Sequence, residues 1–306
     1  MLLLDSTTKD LSPWVQAFKE HLPDGEVVTW DEVRDPSKVE VAVVWNHQKD
    51  LFKKISNVKL VASLGAGVDH IVHDPLLPSD TPVSKVISPH LSTPMSNYCI
   101  GAILHYHKQF DKYARDKVQK RWHQEFDPER PVTIGILGLG ALGSDLAQKL
   151  VTLGFEVHGL SRSKKSLPDV LTYTEDQLDV FLSKVNVLIC MLPSTDQTTG
   201  IINHSMLSKL PDQSFLINVG RGKQHVDEDI LACLDSGKLA GAFLDVFPVE
   251  PLPQRSPLWE HPDVFITPHI AVVTKIEAAV PQILENYNRL KRGAKLINLI
   301  DRSKGY

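Results

Sequence analysis

The chain has 306 residues, 42% hydrophobic and 23% charged, which is ordinary for a globular protein and long enough for about two domains. Its net charge of −4 gives no electrostatic footprint for nucleic acid or an anionic membrane, and no stretch approaches the roughly 18 apolar residues of a membrane span. Met-Leu-Leu-Leu meets Asp5 too soon for a signal peptide, and Cys99, Cys190 and Cys233 lie far apart with no CxxC pair, so the expectation is a cytoplasmic chain with free thiols.

Short β-branched runs alternate with amphipathic stretches, the pattern of a parallel α/β sheet. In the first part, strands are expected at 2–5, 26–30, 41–45, 59–64 and 82–86. Ser12-Pro13 opens a helix, with Ser as its cap and Pro in its first turn, turning Trp14, Val15 and Phe18 inward. One long helix is expected from 98 to 121, carrying Ile100, Ile103, Leu104, Tyr106 and Tyr113. Phe126-Asp127-Pro128 and Pro131 then break the chain. A second strand series reads 132–138, 155–160, 186–192, 214–219, 240–247 and 264–267. A last helix over 274–291, despite Pro281, comes too late to begin a third domain and is expected to cross back onto the first.

The strongest local signal is Val132-Thr-Ile-Gly-Ile-Leu-Gly138-Leu-Gly140-Ala141-Leu142-Gly143. GxGxxG alone is weak, but here a buried-strand run leads in and a stripe of Leu142, Leu146, Leu150 and Leu153 leads out. In such a turn the first glycine allows the bend and the second lets backbone approach a pyrophosphate. The third lets helix and strand pack closely, while the helix N-terminus faces the phosphate charge. A dinucleotide site for NAD has an acid about 20 residues beyond the first glycine, on the ribose 2′-OH. Here that region holds Ser161, Arg162, Ser163 and Lys164, with no acid. Arg162 can pair with a 2′-phosphate, so NADP(H) is favoured and NAD(H) stays possible. A merely solvated basic loop is the alternative.

Three polar residues sit just past strands of the second series: Arg221, Glu250 in Asp245-Val-Phe-Pro-Val-Glu250-Pro251, and His269 in Thr267-Pro-His269. Each is a weak signal alone; together, near a dinucleotide, they suit reduction of a 2-oxo acid. No Cys/His set has metal-ligand character. His105 and His107 diverge on a helix, and His70 and His73 share a face read as solvated or as an interface.

At this point the chain resembles the D-isomer-specific 2-hydroxyacid dehydrogenases. The resemblance rests on Leu64-Gly-Ala-Gly-Val-Asp69, the glycine turn, Asn218-Val-Gly-Arg-Gly222, Leu244-Asp-Val-Phe247 with Glu250-Pro251, and Thr267-Pro-His269. Ser161-Arg-Ser-Lys-Lys-Ser, Pro251-Leu-Pro and Ser256-Pro-Leu-Trp259 make it most similar to the A-type glyoxylate/hydroxypyruvate reductases. The resemblance implies two doubly wound parallel-sheet domains. One is a Rossmann cofactor domain over 98–274; the other is a flavodoxin-like, discontinuous substrate domain of 1–97 plus 275–306. It also implies a homodimer whose interface draws on the long helix.

The same resemblance implies the roles. His269 is the general acid, Glu250 holds its imidazole, and Arg221 binds the substrate carboxylate and polarises the keto oxygen. Backbone of Leu64, Gly65, Ala66 and Gly67 holds the carboxylate as well, and Trp45 walls the pocket. Leu192, Pro193 and Ser194 roof the cofactor, with Val219 and Gly220 beside it. Asp245 meets the nicotinamide carboxamide or supports the site. Asn97 departs from the family, where a Glu is common. The rival readings are an NAD-dependent dehydrogenase of another 2-hydroxy acid, and a catalytically silent dinucleotide-sensing binding protein. Formate oxidation is disfavoured, because that branch of the family has Gln in place of Glu250.

Overall fold

The structure is a computed structural model that describes residues 1–87, 89–124, 126 and 129–302. The chain divides into two compact units, Met1–His90 with Val273–Tyr306, and Leu91–Val272. Part of the expected break at Phe126-Asp127-Pro128, and the last four residues of the expected substrate domain, lie outside the described residues.

The first unit is built on β1 (Leu2–Ser6), β2 (Val27–Thr29), β3 (Val41–Trp45), β4 (Leu60–Ser63) and β5 (Val83–Ser84). They form one parallel sheet in the order β2-β1-β3-β4-β5. Leu2, Leu3, Leu4 and Val41–Val44 are fully buried, as a parallel sheet covered on both faces requires. Helix α1 (Ser12–Lys19) buries Trp14 and Phe18 as its periodicity predicts. Its start corrects one expectation: Ser12 is the first helical residue rather than the cap, and its N–H donates to Asp10 Oδ1 at 2.9 Å. Two single-turn helices follow, α2 (Leu51–Lys54) and α3 (Asp69–Val72).

After β5 in the chain the expected single long helix is two, α4 (Pro89–His107) and α5 (Phe110–Val118). They are separated by Gln109 at φ +55, a left-handed residue that no continuous α-helix accepts. The second unit then carries β6 (Thr133–Leu137), α6 (Ala141–Thr152), β7 (Glu156–Leu160), β8 (Val170–Tyr173), α7 (Leu178–Leu182), β9 (Val187–Cys190), α8 (His204–Leu207), β10 (Ser214–Asn218), α9 (Asp227–Asp235), β11 (Leu239–Leu244) and β12 (Val264–Ile266). The sheet is parallel, in the order β12-β11-β10-β9-β6-β7-β8. Strand β8 was not foreseen. It is an edge strand with Leu171 exposed, so it lacks the continuous apolar run of a central parallel strand. On α6 the expected stripe buries Leu146 and Leu150, but Leu153 caps the helix and is exposed. No helix among the described residues is long and apolar enough to cross a membrane.

Helix α10 (Ile276–Lys291) returns to the first unit and packs on α1, burying Ala279, Val280, Ile283, Leu284 and Tyr287. Its last residue is tied to the strand side of that unit. Lys291 Nζ and Lys59 Nζ each donate to Glu40 at 2.6 Å. These two ammonium groups hold the Glu40 carboxyl down at about 2, against an ordinary value of 4.5. A carboxyl whose value is depressed by folding stabilises the fold above its unfolded value and loses that contribution as pH falls. Glu40→Gln is therefore expected to cost about 1 kcal/mol at pH 7, a solvent-screened figure. The difference from wild type in urea midpoint should shrink as pH falls from 4.5 towards 2. A difference independent of pH would show that the lysines do not act through the carboxylate charge.

Candidate active site

In an open α/β sheet, ligands bind beyond the carboxyl ends of the strands. In the second unit that edge begins with the glycine turn after β6. Gly138 has φ +105, and a Cβ there would come within 2.9 Å of the Met191 carbonyl oxygen. At Gly143 a Cβ would lie 2.0 Å from the Gly138 carbonyl oxygen, so helix and turn meet there without space for a side chain. Around Gly140, by contrast, a Cβ would meet nothing within 4 Å. Gly140 caps α6, and no side chain caps the helix in its place. The turn thus leaves an open cradle at a helix N-terminus, which fits a pyrophosphate.

After β7, Ser161 is buried and its Oγ donates to the Ser163 carbonyl at 2.8 Å, closing the turn. Arg162, Ser163 and Lys164 are exposed. The Arg162 guanidinium donates to Gln197 Oε1 at 3.0 Å and stands 3.6 Å from Glu175. A cation held there, with no acid at the end of β7, fits a ribose carrying a 2′-phosphate.

The segments after β9 and β10 are joined by a residue that the sequence did not single out. Gln224 is fully buried. Its Nε2 donates to the carbonyl oxygens of Leu192 (2.9 Å) and Pro193 (3.0 Å), and its Oε1 accepts from Arg221 N at 2.7 Å. One amide therefore fixes the 192–194 segment and the backbone that carries Arg221. Ser194 is buried beside it, and Thr198 Oγ1 donates to the Pro193 carbonyl at 2.7 Å. Val219 is buried; Asn218 Oδ1 accepts from Gly220 N at 3.1 Å.

After β11, Asp245 is 1% exposed. Its Oδ1 accepts from Thr267 Oγ1 at 2.6 Å and Ile270 N at 2.8 Å, and its Oδ2 from Ala271 N at 2.8 Å. Burial pushes its carboxyl up, while these donors pull the other way. Tyr98 OH adds a hydrogen bond with Thr267 Oγ1, and burial raises that phenol too. Both Asp245 oxygens are thus engaged by the segment after β12, so the geometry favours support of the site over contact with a carboxamide.

That segment presents His269 at φ +55, a conformation in which non-glycine residues are uncommon and which clusters at functional sites. His269 N donates to the Asp245 carbonyl at 2.8 Å, and its Nδ1 to Glu250 Oε2 at 2.7 Å. Glu250 Oε1 accepts from Phe247 N at 2.9 Å. Burial opposes ionisation of Glu250, but His269, the Phe247 N–H and the Arg221 charge outweigh it and hold the carboxyl below its usual range. Ring nitrogen Nδ1 being taken, Nε2 is the atom left to exchange a proton with a ligand.

The first unit gathers the other predicted residues at the ends of β3 and β4. Leu64 and Gly65 are buried, Ala66 and Gly67 half-buried. Ser63 Oγ donates to the Gly67 carbonyl at 2.6 Å and accepts from Gly65 N at 3.2 Å, folding 63–67 into a tight loop. A Cβ on Gly65 would come 2.8 Å from the Trp45 ring. His70 packs against Trp45 with ring centroids 4.8 Å apart, which joins it to this cluster.

The model of the family described as D-isomer specific 2-hydroxyacid dehydrogenase, NAD binding domain, matches residues 100–271. A glyoxylate/hydroxypyruvate reductase A of Klebsiella pneumoniae (strain 342) is 39% identical over 307 residues, covering 98% of this chain and 97% of that protein. Among solved structures, an NADPH-dependent glyoxylate/hydroxypyruvate reductase of Sinorhizobium meliloti, in complex with NADP and sulfate, aligns with TM-score 0.92 at 37% identity. It covers 100% of this chain and 99% of that one. A D-isomer specific 2-hydroxyacid dehydrogenase of Xanthobacter autotrophicus Py2, in complex with NADPH and MES, aligns with TM-score 0.92 at 35% identity, covering 100% and 99%.

Replacing Gln224 by Met keeps the volume but leaves the Leu192 and Pro193 carbonyls and the Arg221 N–H without their partner. The expected cost is about 1–3 kcal/mol, read as a lower urea midpoint at neutral pH. An unchanged midpoint would mean that water replaces the amide.

Proposed function

The chain belongs to the D-isomer-specific 2-hydroxyacid dehydrogenases, and from that premise we propose that it reduces small 2-oxo acids, glyoxylate to glycolate and hydroxypyruvate to glycerate, with NADP(H) as its preferred cofactor. The observation that carries the reading is the His269–Glu250 pair, 2.7 Å apart and fixed by Asp245 at the strand ends that carry the glycine turn. The relatives named as glyoxylate/hydroxypyruvate reductases, one of them with NADP bound, support the substrate and the cofactor.

NADPH, when bound, supplies the hydride that adds to the keto carbon. Residues 138–143 would hold its pyrophosphate and Arg162 its 2′-phosphate, and segments 192–194 and 219–220 would line the cofactor. Arg221 pairs with the substrate carboxylate and draws charge onto the keto oxygen. His269 gives its Nε2 proton to that oxygen as negative charge develops there. Glu250 keeps the ring oriented and, being ionised, offsets the charge of the imidazolium before transfer. Asp245 and Thr267 keep the backbone that aims His269 in place.

The proposal extends to a homodimer in the cytoplasm. Phe110, Val118, Trp122 and Phe126 are exposed in and after α5, large apolar side chains of the kind a subunit interface covers. The three cysteines are free and buried. Light scattering that returns a monomer mass would remove the dimer from the proposal.

Absorbance loss at the NADPH band with glyoxylate and with hydroxypyruvate tests the reaction itself. Turnover with either is expected, faster with NADPH than with NADH; cofactor binding without any turnover would favour the sensing role instead. His269→Ala should lower kcat by about 10²–10⁴ with cofactor binding kept. Arg162→Ala should raise the KM for NADPH by about tenfold or more and leave that for NADH nearly unchanged. Equal effects on both cofactors would mean that Arg162 does not read the 2′-phosphate.

A further inference from the structure

Arg221 follows a strand end, and its place is set through the main chain. Three successive peptide groups around it are gripped by two buried amide side chains. Asn218 Oδ1 accepts from Gly220 N at 3.1 Å, and Asn218 Nδ2 donates to the Arg221 carbonyl at 3.3 Å. Between them, Gln224 Oε1 accepts from Arg221 N at 2.7 Å. The guanidinium is referred to the same backbone, because Arg221 Nη1 donates to the Gly220 carbonyl at 2.8 Å. Gln224 is itself held by the Leu192 and Pro193 carbonyls. Asn218 is held by a residue the reaction has not used: its Nδ2 lies 2.7 Å from His225 Nδ1.

His225 is 3% exposed. Its other ring nitrogen, Nε2, stands 2.9 Å from Oδ1 of Asp227, the residue that opens α9. Phe247 meets the ring edge-on, with centroids 6.3 Å apart. Donors and acceptors fix the sense of this chain. Gly220 N is a donor, so the amide oxygen of Asn218 turns to it and the amide NH2 turns to His225. His225 Nδ1 is then an acceptor, and the ring is neutral with its proton on Nε2, facing the Asp227 carboxylate. Rotated by half a turn, the Asn218 amide would set its NH2 against the Gly220 N–H and its oxygen against a lone pair of His225. The imidazole therefore locks the amide in the one orientation that serves the backbone on either side of Arg221.

We infer that His225 is a positioning residue for substrate binding: through Asn218 it fixes the backbone of 220–221, and with it the direction in which Arg221 presents its guanidinium to the carboxylate of a 2-oxo acid. It acts through Asn218 and not on the substrate itself. The assignment rests on the reductase reading above and deepens it.

The test compares wild type with His225→Leu and His225→Asn, using NADPH with glyoxylate and with hydroxypyruvate. Leu fills the buried space and offers no acceptor, whereas Asn places an amide oxygen close to the position of Nδ1. In His225→Leu the KM for both 2-oxo acids is expected to rise about tenfold, with kcat changed less than about threefold, since the carboxylate is held alike before and during hydride transfer. His225→Asn should return KM to within about threefold of wild type. A lower urea midpoint with unchanged KM would make His225 purely structural and overturn the assignment, as would an Asn variant as impaired as Leu. NMR of the ring nitrogens in wild type, identified by their loss in His225→Asn, decides the matter even if the Leu variant does not fold. A proton on Nε2 is expected, and a proton on Nδ1 overturns the assignment while leaving the reductase reading standing. A wild-type protein that turns over neither substrate overturns both.

Discussion

A carboxylate buried at the end of a β-strand has to be surrounded by donors, and Asp245 finds all of its own in one place. Its partners are Thr267 Oγ1 and the N–H groups of Ile270 and Ala271, and its carbonyl takes the N–H of His269. The segment 267–271 after β12 is therefore folded around the residue that follows β11. The left-handed backbone of His269 is sustained by these bonds, since a single residue at φ +55 is costly unless its neighbours fix it. With the backbone held, Glu250 has only to orient the ring. The proposed proton donor is thus placed by hydrogen bonds to the main chain, and its side chain needs one partner.

The same economy runs through the rest of the second unit's ligand edge. Gly143 is required by a contact within the turn and Gly138 by its positive φ and by the Met191 carbonyl after β9, whereas the space around Gly140 is left open. Gln224 then ties the segment after β9 to the one after β10 through a single amide. The segments that line the proposed cofactor and substrate sites are consequently not independent loops. A change at the buried Gln224 reaches both.

The sequence read the core of this arrangement well, because buried parallel strands announce themselves as continuous apolar runs and the glycine turn has a fixed spacing. Residues 41–45 appear as a strand with the bounds expected, and the triplet Arg221, Glu250 and His269 falls after β10, β11 and β12. What escaped was polar or marginal. Strand β8 lies at the edge of the sheet with Leu171 exposed, so it lacks a continuous apolar run. The break at Gln109 depends on a backbone dihedral that no apolar spacing reveals. Gln224 looked like any polar loop residue, and nothing in a local pattern links it to Leu192, 32 positions away. The Tyr98–Thr267 bond spans 169 residues and is legible only once both strands and helices have been placed.

The return of α10 to the first unit has a consequence for how the chain is made. Residues 91–272 form a continuous stretch with its own core, so this unit can complete its contacts as soon as it has left the ribosome. The first unit, although synthesised earlier, lacks the cover over α1 and the Lys291–Glu40 tie until the last helix emerges. The core of the first unit is thus complete only once residues 276–291 are present, and a chain lacking them exposes the face of α1 that α10 covers.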